Sequence, residues 1–199
     1  MEKIEKYTFW FLDLFRYASV RPDIIKVSCL FFCVMFELYA PALLFGQLKM
    51  SIFVNGIING VSQLSTIPLL LCIVMTLSRP KGQMMIFTGT FIFGLAIAIL
   101  SPETCHNCMD GTIGIVINIL FFGFRFFSNL ASNFFATTMT ETFPAQIRNI
   151  AVFFLVSVGR LSSLLVPVLI NIKVKYNITL MSIFCVFAVV GIIAAYFIR

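Results

Sequence analysis

The chain has 199 residues, of which 60% are hydrophobic and only 11% charged, and its mean hydropathy is +1.04. That leaves too little polar surface to coat a water-soluble globule of this length, so the composition places the chain in lipid. A net charge of +6 would suit a nucleic-acid binder, but the Lys and Arg residues stand at the ends of apolar runs and form no stripe interleaved with aromatics. Nucleic acid is therefore not an expected partner.

A bilayer core about 30 Å thick needs roughly 20 apolar residues in a helix. Taken in chain order, residues 1–24 read as a polar-aromatic segment on the cytoplasmic side. Glu2, Lys3, Glu5 and Lys6 are mixed there with aromatics, with no cleavage site of a removable signal. Spans are predicted at 25–46, 52–77, 84–100, 112–139, 150–170 and 178–198, so that 25–199 forms an all-α bundle of six transmembrane helices. The breaks fall at Gln47 to Ser51, Ser78-Arg79-Pro80-Lys81-Gly82, Ser101 to Gly111, Thr140 to Asn149 and Asn171 to Asn177.

The first span carries Glu37, one turn beyond Cys33, and Tyr39, whose hydroxyl in mid-span can contact a substrate. In the second, Asn55, Asn59, Ser62, Gln63 and Thr66 recur at intervals of three and four and so share a helical face. The third has no charge. The fourth repeats the stripe with Arg125, Ser128, Asn129, Ser132, Asn133, Thr137 and Thr140, the fifth lines one side with Ser157, Arg160, Ser163 and Pro167, and the sixth is again apolar.

Six spans put both termini on one side. The terminal side holds Lys3, Lys6, Arg16, Arg21, Lys26, Arg79, Lys81, Arg148 and Arg199, against Lys49, Lys173 and Lys175 opposite, so both termini are predicted cytoplasmic. The loop with Cys105-His106-Asn107-Cys108 then faces the other side, as does the sequon Asn177-Ile178-Thr179. A closed zinc site needs about four ligands, and His106 is the chain's single histidine, so neither a metal nor a cofactor is expected. No general-base pair falls within a span either, which argues against an enzyme.

Polar side chains are costly in hydrocarbon, so each stripe implies a facing cavity or a partner helix. The order polar, polar, apolar, then polar, polar, apolar is what a nested three-plus-three repeat of a transporter half shows. The plainer reading is hydrogen-bond glue between helices. For the embedded charges, a structural pair of Glu37 with Arg125 or Arg160 is the plain alternative to a place on a pathway. Arg125 has a further one, snorkelling from near the exoplasmic end of its long span.

The chain resembles the C-terminal half, helices seven to twelve, of the major facilitator superfamily's organic cation, anion and carnitine transporter branch. The residues that carry the resemblance are Leu12-Asp13-Leu14-Phe15-Arg16, Tyr39, Ile67-Pro68, Arg79-Pro80, the spacing of Arg125, Asn133 and Glu141, the connector Glu141-Thr142-Phe143-Pro144-Ala145-Gln146-Ile147-Arg148-Asn149, and Arg160 with Pro167. The sequence departs from that branch at Thr66, where an acid is usual, and at Thr138, where a Tyr is usual. The resemblance implies transport of small organic ions by alternating access, with residues 1–24 coming from the central cytoplasmic loop. It implies a pathway lined by Glu37, Tyr39, Asn59, Gln63, Arg125, Asn129, Asn133 and Arg160, and a cytoplasmic gate of Arg79, Glu141 and Arg148. An arginine at position 160 resembles the anion-handling members, so an anion or zwitterion is the implied substrate. The implied partner is an N-terminal six-helix half, or a second copy of this chain. The alternative is a non-transporting half that binds and regulates a relative in the membrane.

Overall fold

The computed structural model describes residues 21–45, 52–100, 112–143, 145–176 and 180–197. The segment Leu12 to Arg16, the Cys105 to Cys108 loop and the Asn177 sequon lie outside the described residues. So do the side chains of Asn55, Lys173 and Lys175.

The described residues form six helices: α1 Arg21–Phe45, α2 Ile52–Thr76, α3 Arg79–Leu100, α4 Thr112–Thr142, α5 Ala145–Tyr176 and α6 Leu180–Phe197. Four carry stretches long and apolar enough to cross a membrane, at Gly56–Thr76, Arg79–Leu100, Ile115–Thr142 and Ile147–Leu169, and Ser182–Phe197 is a shorter apolar helix. The fold is all-α, as the composition requires. Several boundaries move outward from the sequence reading: α1 begins at Arg21 rather than 25, and α4 ends at Thr142 rather than 139. The third helix begins at Arg79 rather than 84, because Ser78 accepts from the Gly82 amide at 2.9 Å and a proline is well suited to a first turn, where its missing N–H has no partner to lose. The fifth helix, read as 150–170, spans 32 residues. It begins directly after Pro144, a residue type that drives its predecessor out of helical geometry.

Successive helices run antiparallel. Phe31 stacks on Phe135 with ring centroids 4.7 Å apart, while Arg125 reaches the Leu38 carbonyl, so α1 and α4 run in opposite directions. The pairs Phe36–Phe184 and Phe32–Phe187 do the same for α1 and α6. The starts of α1, α3 and α5 and the ends of α2, α4 and α6 therefore share one end of the bundle. α1 packs on α4, α5 and α6; α4 packs on α1, α2 and α3; and α3 packs on α6. Exchanging the first three helices for the last three maps this pattern onto itself. α2 and α5 take equivalent places at the two edges, and each has an interior proline, Pro68 and Pro167.

Aromatic rings seated on glycines set how closely the central helices approach. A Cβ on Gly191 of α6 would lie 2.6 Å from the Phe87 ring of α3, and one on Gly159 of α5 would lie 2.5 Å from Phe31 of α1. Gly89 and Gly123 receive Phe127 and Phe93 across the α3–α4 contact. By contrast, Gly56 and Gly60 of α2 would meet nothing within 4 Å. Small residues let helices approach in lipid, where burial of apolar surface gives little drive, so the glycines of the centre are in use and those of α2 are not. Gly191→Ala is expected to cost about 1–3 kcal/mol by overpacking, whereas Gly60→Ala should be neutral or gain up to about 1 kcal/mol of helix propensity. Thermal unfolding of the two purified variants in detergent checks the contrast, and equal losses would contradict it.

Candidate functional site

Three consecutive residues of α1 organise the polar interior. A helix turns about 100° per residue, so Glu37, the carbonyl of Leu38 and the side chain of Tyr39 address three different neighbours. Arg125 of α4 donates from Nη1 to the Leu38 carbonyl at 2.6 Å and from Nε to Asn59 Oδ1 of α2 at 2.9 Å. It is only 7% exposed. The guanidinium is thus held inside the bundle and does not snorkel towards an interface.

Below it the two polar stripes meet tooth by tooth. Asn129 Nδ2 donates to Ser62 Oγ at 2.9 Å, and Asn133 Nδ2 donates to Thr66 Oγ1 at 3.1 Å. Steps of four on α4 match steps of three and four on α2, because the two helices run parallel and their faces stay in register. Ser62 and Thr66 in turn donate to the Asn59 and Gln63 carbonyls of their own helix. Asn59, Asn129 and Asn133 thus each commit one polar atom to holding α2 to α4, as the glue reading expects. Gln63 stands apart, on the exposed side of α2.

Tyr39 turns the other way, towards α5. Arg160 Nη1 donates to its hydroxyl at 2.9 Å, with the guanidinium carbon 5.7 Å from the ring centroid. Unlike Arg125, Arg160 is exposed. Ser157 and Ser163 flank it and donate only to carbonyls of their own helix, those of Phe153 and Arg160. This is a cationic centre with donor capacity left over, on a helix whose one extensive neighbour is α1.

Glu37 is not the counter-charge of either arginine. It is 1% exposed, and neither carboxyl oxygen has a hydrogen-bond partner. The physical reason lies in helix geometry, which points position 37 into the contact of α1 with α3 and α6, away from the faces that meet Arg125 and Arg160.

At the end of the bundle predicted to be cytoplasmic, Arg79 and Glu141 meet at 2.5 Å, joining the start of α3 to the end of α4. The same arginine lies 6.0 Å from the Phe134 ring centroid. Arg148 does not join them. Its Nε donates to the Phe143 carbonyl at 3.3 Å and braces the turn between α4 and α5. A small cleft here lies between Arg79, Gln83 and Thr138 and apolar walls, with Arg79 Nη1 and Gln83 Nε2 buried and unpartnered. Gln83 was not a sequence candidate, although a lone amide one turn into an apolar span was its signal. The Leu38 carbonyl was not foreseen either. Among the described residues no cluster of three or more His, Cys, Asp or Glu could hold a metal ion.

No protein-family model matches the chain, and no curated protein is significantly similar to it.

Truncating Arg125 abandons two acceptors at once, at about 1–3 kcal/mol each, whereas single side-chain hydrogen bonds between membrane helices average about 0.6 kcal/mol. Arg125→Ala is therefore expected to destabilise the bundle clearly more than Asn129→Ala or Asn133→Ala. Unfolding of the three variants in lipid micelles checks the order, and equal effects would show that Arg125 is not the clamp.

Proposed function

We propose that this chain is one half of a membrane transporter for small organic ions, anions or zwitterions above all, related in architecture to the C-terminal half of the major facilitator superfamily. One observation carries the reading: an exposed arginine, Arg160, is held by the hydroxyl of Tyr39 in the middle of a long apolar helix whose one extensive neighbour is α1. A charge in that position is costly in hydrocarbon and calls for water, a partner or an anion. Exchange symmetry between the two helix triplets, with a proline-bearing helix at each edge, fits the repeat architecture of such transporters. So does the unused glycine face of α2.

In this reading Arg160 and Tyr39 touch the substrate, with Gln63 on the opposite edge helix. Arg125 and the asparagine seam hold α1, α2 and α4 as one body. Arg79 and Glu141 form a gate contact at the end predicted to be cytoplasmic, and this body rocks against a second six-helix body, either a separate half or another copy of this chain. The internal pairing of the α2–α4 seam supports a second reading. A bundle whose α2–α4 seam pairs polar groups across the two helices can also exist as a non-transporting half that binds a relative in the membrane.

Uptake of matched organic anions and cations into vesicles bearing the complete assembly tests the proposal. Arg160→Ala is expected to abolish anion uptake or invert the charge preference, and Tyr39→Phe to weaken it with the preference kept. Unchanged anion uptake by Arg160→Ala would remove Arg160 from the pathway.

A further inference from the structure

Among the described residues the acidic side chains are Asp23, Glu37 and Glu141. The first and last stand exposed at helix ends, beside Lys26 at 4.0 Å and Arg79 at 2.5 Å. Glu37 alone lies inside the bundle, and it has no partner. Among the described residues its surroundings contain no cation. On its own helix Cys33 precedes it by one turn, and α6 presents Cys185. Thr90 of α3 lies beside it, but its hydroxyl is given to the Phe87 carbonyl at 2.8 Å. The charged group of α4, Arg125, is turned to Asn59 and Leu38, and that of α5, Arg160, to Tyr39. At the start of α3, Arg79 is engaged with Glu141, and Lys81 is exposed.

A carboxylate without a counter-charge is not tolerated in such a place. The described residues supply none, and among them no group of three or more His, Cys, Asp or Glu surrounds it. A proton neutralises the group by forming an O–H bond on one carboxyl oxygen, and it needs neither a counter-charge nor a cavity. Glu37 also shares one helical turn with the Leu38 carbonyl and the Tyr39 hydroxyl, the two groups that hold the buried arginine and the exposed one. Any displacement of α1 that frees Arg160 or Arg125 carries Glu37 with it, out of its contact with α3 and α6.

We propose that Glu37 is a proton-binding site, loaded and unloaded as α1 moves against α3 and α6. The consequence, proton coupling of organic-ion movement, rests on the transport reading. The site itself does not.

Infrared spectroscopy of the full chain in lipid nanodiscs tests the site directly. Wild-type protein is expected to show a carboxylic-acid carbonyl band that shifts in D2O and is lost in Glu37→Gln. Glu37→Asp keeps an acid at the position and should retain a displaced band, which guards against a general folding defect. Superimposable spectra of wild type and Glu37→Gln would overturn the proposal, as would a band that never exchanges. In vesicles bearing the complete assembly, Glu37→Asp should keep the response of uptake to a proton gradient and Glu37→Gln should lose it. Wild-type uptake indifferent to the gradient would overturn the coupling. Absence of any wild-type uptake would fail the transport reading instead, and the infrared result then decides the proton site alone.

Discussion

A guanidinium deep in an apolar bundle has to be met by acceptors, and Arg125 meets one on each of two neighbouring helices. An unmet arginine at the centre of a spanning helix costs about 2.5–3.5 kcal/mol. The Asn59 amide and the Leu38 carbonyl offset that cost only if α1, α2 and α4 keep their register. The position of α2 depends on this most, because α4 is its one extensive neighbour. Asn129 and Asn133 extend the same grip along the seam.

This leaves the polar groups of the bundle divided by role. Those along the α2–α4 seam, Asn59, Ser62 and Thr66 with Arg125, Asn129 and Asn133, pair across it, and their contribution is cohesion in a solvent where apolar burial drives little association. Those of α5 are not consumed. Ser157 and Ser163 bond back to their own helix, and Arg160 spends one donor on Tyr39 and keeps the rest. Glu37 belongs to neither group, since it is buried without a bond. The two arginines look alike in a hydropathy profile, yet one is a structural clamp and the other is the exposed charge on which the functional reading depends.

Much of the fold was legible because hydrocarbon restricts the choices to apolar helices of a set length. The polar periodicities on α2 and α4 were also legible as faces. What those faces met was not, because a stripe of Asn and Ser is the same sequence whether it lines water or another helix. The pairing of Glu37 with an arginine, the plain alternative that charge offered, failed on helix geometry: positions 37, 38 and 39 point to different neighbours, and opposite charges in adjacent spans need not meet. The start of α3 was read too late because the Ser78-Arg79-Pro80 cluster looked like a loop, although it is a capped first turn. The meeting of Arg79 with Glu141 came from the resemblance and not from spacing, since 62 positions separate them.

The central claim is that a six-helix body with an exposed Arg160 face completes a pathway only against a second body. Measuring native mass and organic-ion uptake on the same reconstituted preparation of this chain tests it most directly. The account predicts that uptake appears only in particles holding two six-helix bodies, whether two copies or this chain with another half, and never in single bundles. Organic-anion uptake by a single six-helix bundle would contradict it.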